Sequence, residues 1–339
     1  MEKVRFGKSG LLVSKIAFGG IPIMRVPKIE ATNIIREAIS LGINFIDTAH
    51  AYADSEEKIG EALKGLRRED IIIASKSLAV NKKVFNEHLD LSLKRLGVDY
   101  IDIYQLHNVY SESQRDEIFA PGGAMEGLEE AVKAGKVRFP GFSSHSIPMA
   151  IEVMKSNRFV SVQLPFNYID NDAAAEAIPL AKKLDMGFIA MKPMGGGLLE
   201  NARLAFRFLG QYDNIIPDPG IEKIEEIQEI AKIVKRNEIF NIEDQKEIEK
   251  QRIELGSSWC HRCDYCQPCP QDIYISFSLN VKSFIKRMTA EKVSSMIGPS
   301  MEKIRTCLEC GDCVKRCPYN LDIPALLKER LKYWDSLKK

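Results

Sequence analysis

Cysteine is absent from the first 259 residues of this 339-residue chain, and all eight cysteines lie between Cys260 and Cys317. That confinement excludes a disulfide framework spread along the chain and makes metal the first chemistry to consider for the thiols. An excess of charge of one sign is also absent: 48 basic and 47 acidic side chains leave a formal net charge of +1. Nothing in that balance favours nucleic acid or an anionic membrane as a partner. No apolar run approaches the roughly 20 residues of a transmembrane helix, so no membrane span is expected. The start, Met1-Glu2-Lys3-Val4-Arg5, has no apolar signal-peptide core, and a cytoplasmic location is expected. No flavin motif is evident. What is present is a hydrophobic fraction of 45%, enough for a sizeable core. The length suits one large domain and one small one.

Apolar and amphipathic runs alternate through most of the chain. Val4 to Ser14 reads as a hairpin with a Lys-Ser-Gly turn. Strands are expected at 16–20, 44–47, 71–76, 101–106, 139–143, 160–164, 188–191 and 214–216. Helices are expected at 30–40, 56–66, 83–96, 124–134, 149–156, 173–184, 202–209 and 221–234. Strict alternation argues for an α/β protein with a parallel sheet and helical crossovers. Eight such units in about 235 residues argue for a closed (β/α)8 barrel. A charged stretch at 242–254, with Ile242, Ile248 and Ile253 as sparse apolar contacts, reads as an exposed helix, and Gly256-Ser257-Ser258 marks its end. The expected division is a barrel at 1–240, a helical linker at 241–256 and a cysteine-bearing domain at 257–339.

Three successive strands end in charged or titratable residues. Asp47 closes the first, Lys76 follows 29 residues later, and His107 follows 31 residues after that. Each interval is one strand–helix unit. Strand ends in such a barrel share one face, and that face carries the chemistry. Tyr52 lies in the loop just after Asp47. Each residue alone has a structural reading, as a helix cap or a solvated strand end. Together they suit proton transfer to a carbonyl oxygen. An unperturbed phenol, with a pKa of about 10, is too weak an acid near neutrality, and an adjacent ammonium lowers that value. Lys76 can supply the ammonium, Asp47 can hold it, and His107 can orient the carbonyl oxygen or share the proton.

These residues carry a resemblance. Over roughly residues 1–235 the chain resembles the aldo-keto reductases, whose Asp, Tyr, Lys, His tetrad is matched in order by Asp47, Tyr52, Lys76 and His107. The resemblance implies a nicotinamide cofactor and a small carbonyl or alcohol substrate. It assigns the nicotinamide amide to Ser143, Ser144 and Gln163, with Ser144 where the family usually has Asn. It assigns the ring face to Met191, where an aromatic is usual. Lys192, Pro193 and Gly195 begin a glycine run able to pass over a pyrophosphate, and Gly19 and Gly20 allow close backbone approach to a ligand. After the eighth strand the family grips the 2′-phosphate of NADP with cations, but here Asp218 stands in that stretch. A carboxylate repels phosphate, so NAD(P)H is expected with NADH preferred. Met24, Phe119, Phe166 and Tyr168 are candidate pocket residues, each equally able to pack the core.

The cysteines form two runs, Cys260-x2-Cys263-x2-Cys266-x2-Cys269-Pro270 and Cys307-x2-Cys310-x2-Cys313-x3-Cys317-Pro318. Three thiolates at two-residue spacing followed by Cys-Pro is the bacterial ferredoxin pattern for [4Fe–4S] clusters, in which the fourth cysteine serves the other cluster. Two clusters are expected, one on Cys260, Cys263, Cys266 and Cys317, the other on Cys307, Cys310, Cys313 and Cys269. Structural zinc is the competing reading, although zinc usually pairs two Cys-x2-Cys hooks. The 37 residues between the runs include a helix-like stretch at 283–296, which suggests a helical ferredoxin-type domain, followed by a final helix at 325–337. Aldo-keto reductases with an appended ferredoxin-type domain form a recognised subgroup that this chain resembles. The expected activity is oxidoreduction with Tyr52 as general acid/base, linked through the clusters to a ferredoxin or another redox protein. The alternative is an electron-transfer subunit or redox sensor with the barrel as scaffold.

Overall fold

In a computed structural model, in which residues 1–337 are described, the alternating runs become a ring of parallel strands. Residues 338–339, the end of the expected third segment, lie outside the described residues. A hairpin of β1 (Lys3–Phe6) and β2 (Leu11–Ser14) comes first. The ring strands are β3 (Phe18–Gly19), β4 (Phe45–Asp47), β5 (Ile72–Ser77), β6 (Ile101–Leu106), β7 (Val137–Ser143), β8 (Ser161–Pro165), β9 (Gly187–Met191) and β10 (Ile215–Asp218), each hydrogen-bonded to the next. The ring closes by a bridge between Gly19 and Gly220. Across the seam Ala17 N–H donates to Pro217 O at 2.9 Å and Gly19 N–H to Pro219 O at 2.8 Å.

That closure accounts for a glycine pair read above as room for a ligand. A Cβ on Gly19 would lie 2.6 Å from Pro219 O, and one on Gly20 2.9 Å from Asp47 O. Real Cβ atoms do not approach so closely, so the bare backbone of Gly19 serves the closing of the ring and that of Gly20 the pairing of β3 with β4.

The first ring helices are α1 (Lys28–Ser40), α2 (Ser55–Leu63), α3 (Lys82–Leu96), α4 (Glu112–Phe119) and α5 (Ala124–Lys133). They are followed by α6 (Ile147–Lys155), α7 (Ala177–Lys183), α8 (Ala202–Leu209) and α9 (Ile224–Arg236). Their limits follow local chemistry. Asn81 caps α3 by accepting the Val84 N–H, and Gly97, at φ 66°, ends it. The sequence pattern misses α4, because only Ile118 of its eight residues is buried and no apolar period betrays it. Inside the ring Phe6, Leu11 and Val13 of the hairpin pack with Phe45, Ile72, Ile103, Ile189 and Ile216. Phe6 meets Phe45 edge-on at 5.4 Å, and the hairpin thereby plugs the strand-start end.

The described residues fall into two compact units, one of Met1–Gly195 with Leu199–Phe240, the other of Gly196–Leu198 with the chain from Asn241 onward. The second unit is helical. It contains α10 (Ile242–Gly256), α11 (Ile275–Leu279), α12 (Val281–Arg287), α13 (Ala290–Lys303), α14 (Asp312–Lys315) and α15 (Ile323–Ser336). Its core gathers Ile273, Leu279, Val293, Ile297, Met301 and Trp334. The single helix expected at 283–296 is two: Met288 is extended, and Thr289 caps α13 by accepting the Lys292 N–H. Among the described residues no helix is long and apolar enough to cross a membrane.

Candidate functional site

The strand ends of the first unit bring Asp47, Lys76 and His107 together. Lys76 is 1% exposed. Its ammonium donates to Asp47 Oδ2 at 2.6 Å and to Thr48 O at 2.7 Å. Burial is the largest single influence and opposes the charge, but Asp47, Tyr52 and Asp218 together outweigh it and the Lys76 pKa is raised. Tyr52 joins from the loop after β4, with Lys76 Nζ 5.3 Å from its ring centroid. The Tyr52 and His107 rings meet edge-on, 5.9 Å between centroids. Burial, and then the charges of Lys76 and Lys192, push the His107 imidazole down to about 3. It is therefore neutral near pH 7, and its buried Nδ1 has no partner within the protein. Of the two roles expected for His107, orienting an oxygen suits this neutral ring, while acting as an acid does not.

A fifth residue, not anticipated in this role, completes the group. Asp218 ends β10 with its side chain buried, and Gln163 on β8 donates from Nε2 to Asp218 Oδ2 at 3.1 Å and to Asp47 Oδ2 at 3.3 Å. Burial, reinforced by the neighbouring Asp47, raises the Asp218 carboxyl well above the usual carboxylate range. The strand expected at 214–216 runs two residues further than its apolar pattern. Asp218 thus occupies a strand end, as Asp47 does. Its carboxyl therefore belongs to the Lys76 group, and the argument for NADH that rested on it loses its basis. An acidic residue closing a strand was the signal available in the sequence.

The candidate cofactor residues divide by how their polar atoms are used. Gln163 Oε1 is buried without a partner, an acceptor suited to an amide N–H. Ser143 Oγ accepts the Asn108 N–H at 2.9 Å and keeps its own hydroxyl hydrogen for another acceptor. Ser144 differs from expectation: its hydroxyl donates to Val109 O at 2.6 Å and accepts the Ser146 N–H at 3.0 Å. It is spent on the loop. Gln163 and Ser143 thus fit a carboxamide, and Ser144 does not. Lys192, in a left-handed conformation at φ 58°, sets its ammonium against His145 Nε2, whose Nδ1 faces Asn108 Oδ1. Gly195, Gly196 and Gly197 are all left-handed, at φ 58°, 68° and 85°, a turn that other residues resist. Met191 is half-buried at the end of β9, directly before Lys192 and Pro193. The pocket candidates Phe166 and Tyr168 pack on Phe208, and Phe119 stacks on Phe159. These three are packing residues, and Met24 is buried.

In the second unit the eight cysteines carry no disulfide. Cys269, Cys307, Cys310 and Cys313 line one cavity. Cys266 is within electrostatic reach of Cys260 and Cys263, and Cys263 of Cys317. Each group thus takes three cysteines from one run and one from the other. Arg316 links the runs, donating to Gln267 O at 3.1 Å and Pro268 O at 2.8 Å. Cys269 N–H donates to Gln267 Oε1 at 2.9 Å. Among the described residues no three His, Cys, Asp or Glu side chains converge as a single metal ion would need. The four-thiol cavity fits a larger group. Burial pushes the thiols of Cys260 and Cys266 up, to about 11 and about 12, so ligation there must displace protons.

Comparison with known proteins finds two family models along the chain. The aldo/keto reductase family model matches residues 15–239, and a 4Fe-4S dicluster domain model matches 259–322. The uncharacterized oxidoreductase YqkF of Bacillus subtilis is 33% identical over 213 residues, spanning 59% of this chain and 67% of its own. L-galactose dehydrogenase of Arabidopsis thaliana is 29% identical over 217 residues, with spans of 59% and 67%. The holo form of aldo-keto reductase AKR11C1 from Bacillus halodurans superposes with a TM-score of 0.65 at 26% identity, covering 74% of this chain and 96% of that one. An aldo-keto reductase from Klebsiella pneumoniae, solved in complex with NADPH, shares the fold at a TM-score of 0.63 and 21% identity, covering 74% and 94%.

Proposed function

The chain belongs to the aldo/keto reductase family and carries a 4Fe-4S dicluster domain, and on that premise we propose that it transfers hydride between a nicotinamide cofactor and a small carbonyl or alcohol, with Tyr52 as general acid/base. The observation that carries this reading is the buried Lys76 ammonium, held by Asp47 at 2.6 Å and facing the Tyr52 ring. A fixed positive charge favours the phenolate over the phenol and so makes a facing phenol a better proton donor. Tyr52 gives its proton to the carbonyl oxygen during reduction and recovers it in the reverse reaction. His107, neutral near pH 7, orients that oxygen by a hydrogen bond. Gln163 and Ser143 would hold the carboxamide of the cofactor, and Met191 would cover the ring face. When bound, the nicotinamide supplies or accepts the hydride at the substrate carbon.

A preference for NADH is part of the proposal, now on a different ground. The N–H groups of Glu222 and Lys223, just before α9, both donate to Glu226 Oε2, at 2.9 and 3.2 Å. A helix N-terminus is a ready anion site, and here a carboxylate of the chain already takes it.

In the second unit, Cys260, Cys263, Cys266 and Cys317 would hold one [4Fe–4S] cluster, and Cys269, Cys307, Cys310 and Cys313 the other. When bound, such clusters supply one-electron storage, and a ferredoxin or similar redox protein is the fitting partner. Free thiols in this number suit a reducing compartment such as the cytoplasm.

Replacing Tyr52 by Phe tests the central role. Carbonyl reduction falls by about 10²-fold or more, the usual worth of a positioned proton donor, while cofactor affinity is kept. Unchanged reduction by the variant would leave the electron-transfer or sensor reading, with the barrel as scaffold.

A further inference from the structure

The carboxyls of Asp47 and Asp218 approach one another around a single amide. Gln163 Nε2 bridges their Oδ2 atoms, and the one ammonium hydrogen-bonded to this group, that of Lys76, is given to Asp47. The remaining oxygens, Asp47 Oδ1 and Asp218 Oδ1, are buried and have no donor from the protein. Asp218 Oδ1 faces the seam, where a Cβ built on Gly19 would lie 3.0 Å from it. Two ionised carboxylates and one ammonium would leave a net negative charge out of water, which proteins do not hold unpaired. One proton removes that charge and supplies the missing donor.

We propose that Asp47 and Asp218 share one proton, carried on Asp218 and directed to Asp47, and that Asp218 is thereby a positioning residue for Lys76 and, through it, for Tyr52. Two acidic side chains 171 positions apart in sequence act as one acid–carboxylate pair. Burial and the nearby Asp47 both favour the neutral form of Asp218. Asp47 is the ionised member, since it faces the ammonium. The other groups facing the pair add no charge: Gln163 from β8 is neutral, His107 beyond β6 is neutral near pH 7, and β3 offers only the Gly19 backbone. A hydrogen bond donated to Asp47 draws negative charge off it. The Lys76 ammonium is then less neutralised by Asp47, and more of its field acts on the phenol. The protonation of the pair stands by itself, while its effect on catalysis rests on the reading of Tyr52 as proton donor.

The test uses the full-length protein. Infrared difference spectra at pH 8 are recorded for the wild-type chain and for Asp218→Asn. A protonated carboxylic-acid C=O band, shifted by deuterium exchange and absent from the variant, is expected. No such band in the wild type overturns the proposal. The pH profile of carbonyl reduction is the second readout. Asp218→Asn keeps a neutral donor, so the alkaline limb stays within about half a unit, whereas Asp218→Leu removes the donor and moves the limb up by about one unit. A limb that moves down by about a unit in Asp218→Asn means that a negative charge was removed, which overturns the proposal. Should Asp218→Leu fail to fold, the band and the Asn profile decide. Full activity in Tyr52→Phe with the band intact would instead remove the Tyr52 reading and leave the proton pair standing.

Discussion

A lysine ammonium 1% exposed is stable only through its partners, and at Lys76 these are one carboxylate oxygen and one carbonyl. Replacing Lys76 by Met leaves the Asp47 carboxylate buried without its cation, and breaking such a pair costs about 3–5 kcal/mol. Denaturant unfolding should show that loss together with loss of carbonyl reduction. His107 makes a separate pH-dependent contribution. Its pKa is about 3 in the folded chain against an ordinary 6.5, so the unfolded chain binds the extra proton between those values. Stability is complete above about pH 6.5 and falls as pH drops toward 3, by at most about 4–5 kcal/mol from this residue. Acid unfolding of His107→Gln should be correspondingly less steep between pH 6 and 4. Asp47, Lys76 and His107 were legible in the sequence because spacing by about one strand–helix unit puts their strand ends on one face. Asp218 was not, because the apolar pattern ends before it and its role depends on a neighbour 171 positions away.

Among elements, the sequence located the ends of the ring strands to within two residues, since each is a short apolar run between amphipathic ones. It missed α4, which buries little, and the break between α12 and α13, which depends on the Thr289 cap. It also read Gly19 and Gly20 as ligand room, because a close approach between distant strands leaves no local mark. The turn before α9 yields a prediction of its own: with Glu226 on the Glu222 and Lys223 N–H groups, fluorescence titration should give NADH an affinity at least equal to that of NADPH. Tight NADPH binding beside weak NADH binding would remove that proposal. Arg316 is the corresponding joint in the cysteine unit. Arg316→Ala frees Gln267 O and Pro268 O and should lower the iron retained per chain, measured against about eight irons for two four-iron clusters in the anaerobically purified wild type. Equal iron in both would show that the joint is dispensable.

Across the whole molecule, two units with separate cores were foreseeable from composition, because thiols are confined to one end of the chain and the strand–helix alternation to the other. How the ring is sealed was not. Its first strand, β3, is only two residues long, and the circle is completed there by Ala17 and Gly19 N–H donating to Pro217 O and Pro219 O and by Ile221 N–H donating to Gly19 O. A hoop gives way first where its clasp is thinnest, and local opening in proteins follows the same economy of contacts. This clasp lies beside Asp218, so any breathing at Gly19 would admit water to the proton proposed for that side chain. Amide exchange at Gly19 and the acidity of the site should therefore rise and fall together.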